Sequence, residues 1–299
     1  MTTTAVATTQ PAGARSANVL ARTFRAGLSR GWIELGHTFR NSQDLMGYFF
    51  PTILLLTVMF FMRNATVPGT DFSLGARTLP SVVGMGIAFS GLINLAQQLL
   101  MEREDGTLLR AKATPNGMLG YLVGKIVLVS AMAIINLVLQ LVPGLFLFDG
   151  FRLATPGAWL TLAWVVVLGL VATLPLGAIV GSLFENPRNF GLVMLPFMGL
   201  IATSGIFYPI TNFPVWLQWI GQAFPVYWLG LGMRSALLPA DLAAVEIGGS
   251  WRHWETLGVL SVWAVAGLVV APFVLRRMAR RESGSRVEAR RQRVLQQAH

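Results

Sequence analysis

Six long apolar runs, separated by short polar stretches, set the rhythm of this chain: about Leu45–Met62, Leu79–Leu100, Leu119–Phe148, Trp159–Phe184, Phe190–Tyr208 and Leu257–Leu275. Each can cross a hydrocarbon core of about 30 Å at roughly 1.5 Å per helical residue, the shortest only just. No charge falls in the middle of any run, where one would cost at least ~2.5–3.5 kcal/mol on insertion scales. The pattern predicts an all-α polytopic membrane protein with six transmembrane helices. Ahead of the first run, Leu20, Phe24, Leu28, Trp32, Leu35 and Phe39 recur at helical spacing, which puts them on one face. Arg22, Arg25, Arg30 and Glu34 lie elsewhere on that helix. A basic amphipathic helix with Trp and Phe on its apolar side is expected to lie in the membrane interface.

The stretch from Ile206 to Pro239 breaks the rhythm. It is too long for a turn and too apolar for an ordinary loop, and Pro209, Pro214 and Pro225 divide it. It has room for two short helices, neither able to span. A re-entrant hairpin on the outer side fits; an aromatic anchor in the interface is the alternative. The expected organisation is then a disordered Thr/Ala-rich segment (1–17), the interfacial helix (18–44), a six-span transmembrane body (45–275) and a basic cytosolic tail (276–299).

Composition agrees with a membrane protein. Of 299 residues, 54% are hydrophobic and 12% are charged, about half the charge of a soluble domain. Mean hydropathy is +0.60. The net charge of +10 gathers at the two ends, which suits tails facing anionic lipid. Nucleic acid is not an expected partner, because no soluble domain carries the charge. Basic residues also set the orientation. With both termini in the cytosol, only Arg63, Arg77, Arg152, Arg234 and Arg252 face outward. The first apolar run begins too late for a cleavable signal peptide, and the expected location is the plasma (inner) membrane.

The chain contains no cysteine, which removes thiol catalysis, disulfides and thiolate metal sites. His37, His253 and His299 are far apart, so no metal site is expected. A phosphate loop would need Gly at 119 and Ser or Thr at 126, where the chain has Leu119 and Ile126. It has no nucleotide-hydrolysis motif and binds no expected cofactor of its own. A lipid-modifying enzyme built on Asp241, Glu246 and His253 is one alternative, and a passive channel or scaffold another. Inside the spans, Asn94, Gln97 and Gln98 lie near the inner end of the second run, and Asn136 and Gln140 are four apart in the third. They read either as interhelical hydrogen-bonding groups or as a polar patch along a pathway. Gly177 and Gly181 form a GxxxG pair that reads as close packing within the chain.

One dense cluster of mixed charge lies between the first and last runs: Glu102-Arg103-Glu104-Asp105-Gly106-Thr107, continuing to Arg110, Lys112 and Pro115. It extends the second run into the cytosol. Gly106 can break the helix there, and Leu108 and Leu109 offer an apolar face for docking.

This stretch, with Gly124-Lys125 after it, resembles the loop between the second and third spans of ABC type-2 permeases. Gly205-Ile206-Phe207-Tyr208-Pro209, then Phe213, Pro214, Trp216, Leu217, Pro225, Tyr227 and Arg234, resembles that family's outer segment before the last span. Within the family the chain is most similar to the daunorubicin-resistance type of exporter. The resemblance covers about Arg22 to Arg277. It implies a transport subunit rather than an enzyme, exporting a hydrophobic or amphipathic drug, antibiotic or lipid. Its partners would be two separate ATPase subunits, which bind the ATP and Mg, and a second permease copy, identical or related. The ATPase-coupling element would fall on Glu102, Arg103, Glu104, Gly106, Thr107, Leu108, Leu109 and Pro115. The outer re-entrant segment would fall on Gly205, Pro209, Phe213, Pro214, Trp216, Pro225 and Tyr227. Pathway or subunit-interface residues, by span position, would be Phe49, Phe50, Asn94, Gln97, Gln98, Met194 and Phe197.

Overall fold

The computed structural model describes residues 12–67, 72–114, 116–152, 155–184 and 190–281. The segments 1–11 and 282–299 of the two tails, Arg188 and Pro115 lie outside the described residues. Among the described residues the regular structure is helical, apart from one isolated bridge, Thr66 to Ser73. The helices are α1 (Ala12–Thr38), α2 (Ser42–Phe61), α3 (Leu74–Phe89), α4 (Leu95–Glu104), α5 (Thr107–Lys112) and α6 (Gly117–Leu147). They continue as α7 (Pro156–Leu183), α8 (Gly191–Thr203), α9 (Val215–Ala223), α10 (Pro225–Leu237) and α11 (His253–Arg281). A π-helical turn, Ser90–Asn94, joins α3 to α4.

Among the described residues, five helical stretches are long and apolar enough to cross a membrane: Leu45–Asn64, Leu74–Glu104, Gly117–Leu147, Pro156–Leu183 and His253–Met278. The remaining apolar run, expected as a full span over 190–208, is helical only through the 13 residues of α8. At ~1.5 Å per residue that is about 20 Å. The helix stops because Ser204 closes its last turn with a bond from its amide to the Ile201 carbonyl and Gly205 turns left-handed at φ +68°.

The core is built around α3–α4 and α7. Small residues let their backbones touch, as close approach without a side chain requires. A methyl group at Gly177 would lie 2.1 Å from the Gly91 carbonyl oxygen, and one at Gly181 would lie 2.8 Å from that of Ala96. The GxxxG pair of α7 therefore packs within the chain. A second such contact was not legible in the sequence. Gly27 and Gly31 of α1 seat on the carbonyls of Gly120 and Gly124 of α6, each at 2.7 Å from a would-be methyl.

The order of those contacts shows that α1 runs alongside the first turns of α6 in the same direction. This differs from a helix lying flat in the membrane interface. The packed face is Gly27, Gly31 and Leu35, while Leu20, Phe24, Trp32 and Phe39 stay exposed. The reason is steric: the glycine face gives the closest approach, so it wins the protein contact and leaves the bulky apolar stripe outward. The helix also begins at Ala12, inside the stretch expected to be disordered.

Candidate functional site

The charged cluster folds into a short helical wedge. α4 ends at Glu104, Gly106 takes a left-handed conformation (φ +72°), α5 covers Thr107–Lys112, and Asn116 (φ 55°) turns the chain into α6. A left-handed residue is where glycine is favoured, so Gly106 breaks the helix as its sequence position suggests. The wedge is pinned from inside. Arg103 is buried and donates from Nη1 to the Phe184 carbonyl at 2.8 Å, and Leu108 and Ala111 enter the core. Arg103 and Leu108 are therefore not docking groups, contrary to expectation. An amphipathic helix this short must spend its apolar face on its own protein to stay folded. What the wedge presents outward is Asp105, Arg110 and Lys112, with Glu104 and Leu109 half-exposed.

Behind the wedge lies an ion cluster. The Lys125 ammonium donates to Glu34 Oε2 at 2.6 Å and also pairs with Glu102. Arg30 donates to Glu34 Oε1 at 2.7 Å and lies over the Tyr121 ring at 5.1 Å. α1, α4 and α6 are thus tied at one point. Burial alone would raise the Glu34 carboxyl, but Lys125 and Arg30 outweigh it and hold it below the usual carboxylate value. The Lys125 side chain is only 4% exposed, because two carboxylates meet it. Opposite charges near the ends of three helices were the available signal.

Above this cluster a cleft of about 1480 Å³ opens between α1–α2, α3–α4, α6 and α8. One wall carries Ser90, Asn94, Gln97 and Gln98; Asn136 and Gln140 face it from α6. Thr52 of α2 donates to Asn136 Oδ1 at 2.7 Å, and the Gln140 amide donates to the same oxygen at 3.3 Å. The other lining is apolar, including Leu55, Phe89, Met198, Ile201 and Phe207. The polar wall depends on the π-helical turn. Its extra residue per turn rotates everything after it, and such turns recur at functional sites. The candidate residues Asn94, Gln97 and Gln98 are thus brought together. Phe49, Phe50, Met194 and Phe197 do not join them. Phe50 is exposed, Phe49 half-buried, and Met194 packs against the core. Phe197 is 2% exposed and meets Phe89 at 5.8 Å within the chain, so it cannot contribute a free interface surface.

The outer segment resolves into two different short helices. α9, of nine residues, keeps Val215, Trp216 and Trp219 exposed, whereas α10, of 13, is buried along its length. Pro214 and Pro225 open α9 and α10, where a missing N–H costs nothing. The tip between them, at Phe224, stacks on Trp263 at 5.9 Å, about three turns into α11. Gly205 and Pro209 shape the entry to this segment and Phe213 packs against the core. α10 carries Tyr227 and Arg234 into the protein. Arg234 donates to Ser81 Oγ at 2.8 Å and to Glu246 Oε2 at 3.1 Å, and Arg77 donates to Glu246 Oε1 at 2.9 Å. Burial would raise the Glu246 carboxyl, but Arg234 and Arg77 hold it below its usual value. Glu246 is thus locked between arginines, while Asp241 and His253 are exposed. The three do not assemble into a catalytic group.

A family model described as "ABC-2 family transporter protein" matches residues 39–272. No curated protein matches the chain. That match runs from the end of α1 into α11 and takes in the wedge and most of the cleft, and the chain belongs to the ABC-2 transporter family as a membrane permease component of an ABC transporter.

Proposed function

We propose that this chain is one permease half of an ATP-driven exporter, carrying a hydrophobic or amphipathic substrate outward. The observation that carries this reading is the joint between wedge and cleft. Glu102 and Thr107, at the two sides of the Gly106 turn, also line the cleft. A push on the exposed Asp105–Lys112 face would be passed to the cleft wall, because Arg103 and Leu108 fix the wedge to the helices behind it. The motor is a pair of separate ATPase subunits docking on that face.

Six crossings with both termini in the cytosol are supported by where the ends meet. Phe184, after α7, lies at Arg103; Glu246, before α11, lies at Arg77, at the opposite end of the α3–α4 rod. The stretch containing α8 must carry the chain back between those ends. The α9–α10 hairpin then dips in and out on the outer side, with its backbone buried in protein as such a depth requires. α2 and α8 flank the cleft and leave Phe50, Leu54, Leu192 and Leu195 exposed, which favours a second permease copy closing the cleft there.

Reconstitution of the chain with its candidate ATPase in proteoliposomes tests the reading. Gly106→Pro should abolish ATP-driven substrate export while the protein still inserts and folds, since the left-handed turn is incompatible with proline. Normal export by that variant would reject the wedge as the coupling element.

A further inference from the structure

The cleft's chemistry speaks to its cargo, and this step rests on the permease reading above. The polar wall consists of uncharged groups, chiefly the amides of Asn94, Gln97, Gln98, Asn136 and Gln140. The charged lining residues are Arg30, Glu34, Glu102 and Lys125, which pair with one another, and Arg40 at the turn between α1 and α2. Two amide oxygens remain unspent. Gln98 Oε1 and Gln140 Oε1 are buried and accept no hydrogen bond, and Gln140 is 2% exposed. A buried acceptor without a donor is costly, so a native protein keeps one where a partner arrives from elsewhere. The site is also held open. Gly86 faces the Asn136 and Gln140 amides, where a methyl group would lie 3.2 Å from Asn136 Nδ2. The π-helical turn that aims Asn94 and Gln98 is clamped from behind by Thr173, which a methyl on Gly91 would meet at 2.0 Å.

We infer that the cleft selects amphipathic cargo whose head is uncharged and rich in hydrogen-bond donors, such as hydroxyl groups. The head sits between Gln98 and Gln140 and the apolar body lies along Phe89, Met198 and Phe207. Amides satisfy hydroxyls without a counter-charge, whereas a charged head seated between Gln98 and Gln140 would meet amides alone, at a steep desolvation cost.

The test uses the full chain alone in lipid nanodiscs, without ATPase. Three photocrosslinking probes share one diazirine-bearing alkyl tail and differ in head: maltoside, trimethylammonium or sulfate. Mass spectrometry locates and quantifies the labelled peptides. Saturable maltoside labelling of the α4 and α6 segments around Gln98 and Gln140 is expected, with half-saturation roughly fivefold or more below that of either charged probe. Gln98→Leu and Gln140→Leu should each weaken maltoside labelling roughly fivefold and leave the charged probes unchanged. Gln140→Glu, which keeps the side chain's shape, should turn the preference toward trimethylammonium. This third variant guards against a folding artefact. Equal labelling by all three probes would mean that the tail alone binds, as any lipid would, and would overturn the inference. So would labelling that the three variants leave untouched, or a cleft sealed by a second copy against every probe. Because binding is read without ATP, failure of export with this selectivity intact would count against the exporter reading and not against the cargo assignment.

Discussion

At one end of the helix body Glu246 sits between Arg77 and Arg234, all three side chains at most 1% exposed. At the other end Lys125 sits between Glu34 and Glu102, whose side chains keep 23% and 20% of their exposure. The pairing chemistry is the same and the surroundings are not. In the outer knot, two guanidinium groups share one carboxylate away from water, so removal of Glu246 leaves two buried positive charges without their counter-ion. In the inner cluster water reaches the carboxylates and screens them. The outer knot suits a fixed anchor holding the α9–α10 hairpin and its loop to α3. The inner one suits a joint, which can be made and broken beside the wedge without unfolding the body.

The comparison breaks most directly at Glu246. Glu246→Gln should cost about 3–5 kcal/mol, because two buried arginines lose their common partner. Chemical denaturation in detergent would read this as a lowered midpoint. A loss under about 1 kcal/mol would mean that water reaches the knot. Acid should act in the same direction on the unaltered protein. The Glu246 carboxyl is held low in the fold, so its stabilisation is present above its unfolded value of about 4.3 and is lost as pH falls further through its folded value. A pH series should show a steeper acid loss for the native chain than for Glu246→Gln.

Smaller effects sharpen the inner side. Lys125→Met should cost about 1–3 kcal/mol, leaving half-buried Glu102 without its cation and Glu34 with Arg30 alone. Unlike the outer loss, it should shrink as salt is raised, which a denaturation series at low and high ionic strength would show. Gly106→Ala should cost about 1 kcal/mol through its left-handed backbone. It should lower the coupling of ATP hydrolysis to export more than it lowers stability.

Much of this architecture was legible in the sequence because it follows from local pattern. Apolar length marked the helices, the prolines at 214 and 225 opened α9 and α10, and Gly106 ended the rod. The cleft residues Asn94, Gln97 and Gln98 were legible as polar groups on a span, though not which of their two readings held. The errors came from side chains whose direction depends on a neighbour. Arg103 looked like a docking charge until Phe184 arrived beside it from the end of α7. Leu108 looked like a docking surface and is core. Phe197 turned inward onto Phe89. The bulky apolar stripe of α1 gave no hint that Gly27 and Gly31 would take the protein contact.

The sequence by itself determined an all-helical membrane protein with a charged wedge after its second apolar stretch, because burial in lipid imposes a length and a polarity that each segment satisfies alone. Tertiary structure decided which charges are anchors and which are joints, and where the amides of α4 and α6 face a common cleft. Those outcomes depend on packing between distant segments, above all on Gly91 and Gly177 meeting behind the π-helical turn. No local periodicity encodes that contact, since it exists only where two backbones approach with no side chain between them.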